Sequence, residues 1–168
     1  MFDRFRTLLD SFTSAEGGSS LSAENDPKVA FMALCLQVIE ADGLVLDSEK
    51  RALKDLIQTH YGLNDSEYDR LKQAGEAAEQ ESVDYYRFTS VLKKALNPDQ
   101  HAEIIGLLWD IVYADGERSE LEDNIVWRVA ELLSVPGRVR IMKRQEALAR
   151  LNAQGAATTT ESDDLGTS

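Results

Sequence analysis

Apolar residues recur at helical spacing along almost the whole chain, and no strand-like alternation interrupts them. The pattern predicts seven helices that begin near residues 27, 47, 65, 83, 98, 120 and 136. Two of them, VAFMALCLQVIEAD and AEIIGLLWDIVYAD, are apolar nearly all round, which is typical of helices at the centre of a bundle. The predicted fold is therefore an all-α multi-helix bundle.

The two ends of the chain differ from this pattern. Residues 2–12 form an amphipathic stretch, with one apolar stripe that comprises Phe2, Phe5, Leu8, Leu9 and Phe12. We expect a short helix docked on the bundle; a membrane-surface anchor is the alternative, although the polar face is not basic. Composition predicts three regions: the helix and a flexible linker over 1–25, a helical domain over 26–152, and a disordered acidic tail over 153–168.

The two central helices belong to an internal repeat. LCLQVIEADGLVLDSEKRALKDLI matches LLWDIVYADGERSELEDNIVWRVA without a gap, at the constant offset that separates Asp42 from Asp115. Each copy is an apolar helix, an Ala-Asp-Gly turn, a few linking residues and an amphipathic helix. This predicts a duplicated helical hairpin, and two such hairpins make a natural four-helix core.

The turn between the two helices is acidic in both copies. Asp42 and Asp115 lie at the C-terminal end of a helix, where a negative charge opposes the helix dipole and needs a compensating partner. That partner is either the backbone N–H groups of the next helix or a bound cation. Glu49 and Glu122 follow at the same spacing and can close on the same point, so the four acids are the candidate divalent-metal ligands.

The Asp-Gly-x5-Glu spacing matches part of an EF-hand calcium loop, but the first ligand position holds Val38 and Ile111. An EF-hand is thereby excluded, and a looser oxygen-donor site stays open. Capping remains the structural alternative. Gly43 and Gly116 suit a helix C-terminus, and Ser119 with Glu122 has the spacing of a capping box.

Composition narrows the function further. The formal net charge of −12 disfavours binding to nucleic acid. A single cysteine favours a reducing compartment, no apolar run approaches the ~18 residues of a membrane span, and the N-terminus lacks the apolar core of a secretion signal. We therefore expect a cytoplasmic protein without a membrane span.

The duplicated turn and the run LLWDIVYADGERSELEDNIVWRVAELLSVP resemble the tellurite-resistance B (TerB-like) family, over about residues 26–150. The resemblance implies an all-α bundle in the bacterial cytoplasm and a link to tellurite or metal stress, with a protein partner in a membrane-associated complex. It also implies a divalent-cation site at Asp42, Glu49, Asp115 and Glu122. A related module precedes the J-domain of some co-chaperones, which favours an adaptor role as the alternative.

No signal for catalysis accompanies these acids. The chain has no phosphate-binding glycine loop and no Cys/His zinc spacing, and no polar groups converge on the acids to bind a substrate. We expect a non-enzymatic protein. The last helix is basic although the chain as a whole is acidic; it carries Arg138, Arg140, Lys143, Arg144 and Arg150. These residues predict either a solvated face or contact with an acidic partner.

Overall fold

The computed structural model describes residues 26–41, 43, 45, 47–81, 84–114 and 120–160. Within them lie seven helices and no strand. The helices are α1 (Pro27–Ile39), α2 (Asp47–Tyr61), α3 (Asp65–Glu81), α4 (Tyr85–Ala95), α5 (Pro98–Val112), α6 (Glu120–Leu132) and α7 (Gly137–Thr160). The predicted all-α bundle is confirmed. The predicted helix over 2–12 and its linker lie outside the described residues.

Local signals start several helices where the sequence predicts. The Asp26 carboxylate accepts from Lys28 N at 2.9 Å at the start of α1. Asn97 and Gln100 form a capping box at α5, in which each side chain accepts from the other's backbone N–H. Each bond satisfies an N–H group that the first helical turn leaves without a partner.

The start of α4 corrects one prediction. The sequence predicts Ser82 as the cap, but Asp84 occupies the N-cap, and its carboxylate accepts from Tyr86 N at 2.9 Å. Ser82 itself lies outside the described residues. Serine and aspartate are both strong N-caps, so two candidates two residues apart cannot be ranked from the sequence.

Helices α1 and α5 form the core, as their apolar sequences predict. Every residue of α1 from Val29 to Ile39 is buried, and Trp109 on α5 is 0% exposed. Such helices cannot contribute a polar outer face, so the other elements must surround them.

Packing repeats between the two halves of the chain. Helix α1 makes its most extensive contacts with α3, and α5 makes its most extensive contacts with α7. In addition, α2 packs on α5, and α6 packs on α1, so each hairpin contacts the central helix of the other. The duplicated unit is therefore three helices (α1–α3 and α5–α7), one more than the sequence indicates, and α4 joins the units.

Helix α7 extends past residue 152, where the helical domain is predicted to end. It continues to Thr160, so residues 153–160, expected in the disordered tail, are helical, while 161–168 lie outside the described residues. The alanines of NAQGAATTT favour helix, and Gly155 weakens a helix without ending it. No helix in the described part of the chain is long and apolar enough to cross a membrane.

The basic residues of α7 mostly contact the bundle rather than forming a free cationic face. Lys143 donates to Glu103 on α5 at 2.8 Å, and Arg150 donates to Asp110 at 2.7 Å. Burial disfavours the Lys143 charge, but Glu103 and Glu146 outweigh it and raise the Lys143 pKa. Much of the positive charge of α7 therefore forms ion pairs with acidic residues of α5.

Candidate functional site: the two acidic turns

The first acidic turn follows the end of α1. Glu40 is the C-cap, and its N–H donates to Leu36 O at 2.9 Å. Gly43 has the positive φ of 75° that its place after a helix predicts, and its N–H donates to Glu40 O at 3.0 Å. Glycine adopts this conformation at least cost. Asp42 lies outside the described residues.

The second acidic turn begins in the same way. Tyr113 caps α5 through a bond from its N–H to Trp109 O at 3.0 Å, and the Ala114 N–H donates to Ile111 O at 3.2 Å. Residues 115–119, which include Asp115, lie outside the described part of the chain. The two helix ends thus correspond, as the repeat requires.

The remaining two candidate ligands occupy equivalent, buried positions. Glu49 lies in the first turn of α2 and Glu122 in the first turn of α6, and each is 3% exposed. A carboxylate is rarely this buried unless it is hydrogen-bonded, paired or bound to a cation. Both residues take part in interactions within the structure. A position in the first helical turn also favours their negative charge.

The described residues alone do not assemble a metal centre. Among them, no group of three or more His, Cys, Asp or Glu side chains could hold a metal ion. Each turn contributes one buried glutamate from the described region, and the aspartate expected beside it is not described. The geometry of a four-carboxylate set therefore stays a prediction.

Sequence reasoning missed a second pair of equivalent polar residues on the central helices. Gln37 on α1 and Asp110 on α5 are separated by the same offset as the two turns. Gln37 is 4% exposed, and neither polar atom of its side-chain amide has a hydrogen-bond partner among the described residues. Buried polar groups nearly always have partners, so this amide is an exception within the apolar helix α1. The alignment of the two repeats already places Gln37 and Asp110 at equivalent positions, each polar within an apolar helix.

Asp110 accepts hydrogen bonds from Arg150 and is attracted by the charge of His60, whereas the Gln37 amide has no hydrogen-bond partner among the described residues. Both Nε and Nη2 of Arg150 donate to one oxygen of Asp110, at 3.0 and 2.7 Å. Burial raises the pKa of Asp110, although Arg150 and His60 oppose the shift. Burial also lowers the pKa of His60, against the attraction of Asp110 and Glu103. These groups tie α2, α5 and α7 together.

A carboxyl cluster lies beside the first turn. Burial, the charge of Glu40, a hydrogen bond to Glu40 and the charge of Glu76 raise the pKa of Glu79 on α3 to about 7. Glu79 thus holds its proton in the folded protein at pH values where the unfolded chain, with the ordinary value of 4.5, has released it. Folding takes up a proton between these two pKa values.

Stability should consequently fall as the pH rises from about 5 to about 8. We expect a loss at Glu79 of no more than about 1 kcal/mol, because solvent screens a half-exposed carboxyl. Glu79→Gln should be more stable than the wild type at pH 8 and equal to it at pH 5, in thermal melts at both values. Asp69→Asn, an exposed acid on the same helix, is the control. Equal Tm differences at both pH values for Glu79→Gln would contradict the assignment.

The second unit has an aromatic and arginine cluster between its three helices. The Trp109 and Trp127 rings meet edge to face with centroids 6.1 Å apart, and Tyr113 stacks on Trp109 at 5.7 Å. Arg144 lies 5.5 Å over the Trp109 ring and donates to the Tyr113 hydroxyl at 2.9 Å. Arg140 lies 5.9 Å over Trp127. This cluster fills the space between α5, α6 and α7.

The fold and its turns define a class of all-helical proteins built from a duplicated unit with an acidic turn in each copy. The family model described as tellurite resistance protein TerB matches residues 28–145. The chain therefore belongs to the TerB family. This confirms the family that the sequence resembles.

One solved structure supports the fold alone. A crystal structure of a protein of unknown function from Porphyromonas gingivalis W83 is similar with a TM-score of 0.56 and 16% sequence identity. The match covers 80% of this chain and 98% of that one. A comparison with curated proteins gives no match.

Proposed function

We propose that this TerB protein is a non-enzymatic, cytoplasmic component of a tellurite or metal-stress response that binds a divalent cation through its two acidic turns. The observation that carries the proposal is the burial of Glu49 and Glu122 at equivalent positions, each directly after an acidic turn. Because both carboxylates are buried at equivalent positions of a duplicated unit, a role common to the two units explains their burial better than packing alone.

The donor chemistry fits hard divalent cations. Asp42 and Glu49 in the first unit, with Asp115 and Glu122 in the second, would supply only carboxylate oxygens, which Ca²⁺, Mg²⁺ and Mn²⁺ prefer. Such an ion would offset the charge of acids that oppose the dipoles of α1 and α5. The glutamates would anchor it to the first turn of the following helix, and so would link the two helices of each hairpin.

Titration with each cation tests the proposal. Calorimetry with calcium, magnesium, manganese and zinc should give saturable heats for at least one of them. At a free-ion concentration of about ten times Kd, binding stabilises the fold by about 1.4 kcal/mol, so the Tm should rise by roughly 3–6 °C. Asp42→Asn combined with Asp115→Asn should abolish both effects.

Asp55→Asn and Asp42→Asn, compared as single variants, give the matched control, since Asp55 is an exposed acid on α2 away from the turns. Each removes one negative charge, and only Asp42→Asn should reduce the heats and the Tm shift. Unchanged melting temperatures and no saturable heat with any of the four ions would remove the metal-binding proposal. Equal losses in the two single variants would assign the effect to general charge instead.

An adaptor role is the second candidate, with the turns purely structural. The observation that favours it is the exposure of large apolar side chains on the second unit, with Leu121 and Ile141 each 52% exposed and Met142 46% exposed. Ile141 and Met142 are consecutive residues of α7, and exposed apolar side chains that lie next to one another are typical of protein contacts. If none of the four cations binds, the adaptor role is favoured over the metal-binding role.

A further inference from the structure

A groove of about 540 Å³ lies between the three helices of the first unit. Its floor is formed by apolar residues of α1 and α2, among them Leu36, Ile39 and Leu53, and Tyr68 of α3 forms one wall. Val45, 37% exposed, lies at its edge next to the first acidic turn. A volume of this size is in the range of ligand pockets.

The groove occurs where the first unit lacks the aromatic cluster of the second. At the offset of the repeat, Trp109, Trp127 and Tyr113 correspond to Leu36, Lys54 and Glu40. All three of these smaller or charged residues line the groove. The second unit thus fills with its own rings the space that the first unit leaves open, which indicates that the missing occupant is aromatic.

We propose that the groove holds the apolar stripe of residues 2–12, whose three phenylalanines supply the rings that the first unit lacks. The segment carries Phe2, Phe5 and Phe12 on one predicted helix face, together with two leucines. Five large apolar side chains on one face gain burial only against another apolar surface. This proposal does not depend on cation binding.

The tether between the segment and the bundle has a suitable length. The groove lies beside the last turn of α1, about 15–20 Å from Asp26 at the rise of a helix. Residues 13–25 are rich in glycine and serine, and a flexible chain of this length has an r.m.s. end-to-end distance of about 20 Å. A tether that matches the span gives a millimolar effective concentration, so a weak contact is enough to hold the segment.

Charge at the groove edge agrees with this occupant. The groove is lined by four basic and three acidic side chains, and of the basic ones Lys50 and Arg51 have no acidic partner among the described residues. Asp3 and Asp10 are seven positions apart and therefore lie on one side of the predicted helix. Opposite charges along the edge would orient the segment, with a small contribution to affinity.

Paramagnetic relaxation in the full-length protein tests the docking. A nitroxide is attached to Ser11→Cys, on the polar side of the segment. Cys35 is buried, and burial raises the pKa of its thiol, so the label should react only with the new cysteine. Amide peaks of Lys50 and Lys72 at the groove should lose intensity, and that of Gln145 on α7 should not.

Variants on each side of the contact sharpen the result. Phe5→Asp should weaken docking by about tenfold or more, since a large buried apolar side chain is lost. Thr7→Asp, with the same charge on the polar face, should retain it. Lys54→Trp copies Trp127 into the groove at a half-exposed position and should displace the segment without loss of the fold.

Three outcomes would overturn the proposal. The first is that the amide peaks of Lys50 and Lys72 lose no intensity, or lose no more than the peak of Gln145. Another is intensity loss in unlabelled ¹⁵N protein mixed with labelled ¹⁴N protein, which would show that the segment binds a second copy. The third is a segment that gives no effect in buffer and binds anionic phosphatidylserine vesicles, which would show a membrane anchor.

Discussion

Replacement of Trp109 by alanine is expected to lower the free energy of unfolding by about 4 kcal/mol, the middle of the range for a fully buried aromatic residue. Trp109 is 0% exposed on α5, and its ring contacts those of Tyr113 and Trp127 while Arg144 covers its face. Its indole N–H has no acceptor among the described residues. The loss is therefore one of packing and apolar burial.

Urea denaturation, with Tm as a second measure, tests this expectation. A loss of this size corresponds to a fall in Tm of roughly 8–16 °C for a chain of this length. Tyr86→Ala, at a 67% exposed aromatic residue, should change stability by no more than about 0.5 kcal/mol. Trp109→Leu copies Leu36 of the first unit and should cost less than alanine. A near-neutral Trp109→Ala would contradict the aromatic cluster as a core element.

The arrangement of the helices was largely predictable because the apolar pattern is unusually plain. A helix such as α1, which is apolar on all sides, is stable only at the centre of the bundle. The gapless repeat shows that the chain contains two such helices, α1 and α5. Asp26 and Asn97 are each followed directly by a proline, which suits the first helical position and so fixes where the helix begins. No proline separates Ser82 from Asp84 as candidates, and there the prediction was wrong.

The contents of the candidate site were less predictable. The repeat located Glu49 and Glu122 correctly in the first turns of α2 and α6, but their burial depends on which helices pack above them. The open groove has a similar origin. The exchange of Trp109 for Leu36 is visible in the alignment, yet only the assembled first unit shows that nothing else among the described side chains fills the space.

Gly75→Val is the second large effect that we expect, a loss of about 3 kcal/mol. The glycine lies where α3 packs on α1, and an added Cβ would lie 2.5 Å from Met32 Cγ and 3.1 Å from Met32 Cβ. Met32 is 0% exposed, so its side chain has little room to move. The two helices would have to separate. In the sequence, Gly75 resembles a simple weak point in a polar helix.

Alanine substitutions give the sharpest form of this test. Gly155 on α7 has nothing within 4 Å of an added Cβ, so Gly155→Ala should stabilise the protein by about 0.5–1 kcal/mol through helix propensity alone. Gly75→Ala has the same propensity gain but meets Met32, and overpacking should make it destabilising by about 1 kcal/mol. Urea denaturation of both variants should thus give opposite signs, and a stabilising Gly75→Ala would show that the α1–α3 contact is loose.

The same contact forms one side of the groove. Glu76 lines the groove next to Gly75, and Leu36 lies one helical turn after Met32. If Gly75→Val separates α1 from α3, the groove widens, and the label at residue 11 should lose its effect on Lys50 and Lys72. Gly155→Ala should leave that effect intact. A Gly75→Val protein that is destabilised and still shows the full relaxation effect would separate the tight helix contact from the docking of residues 2–12.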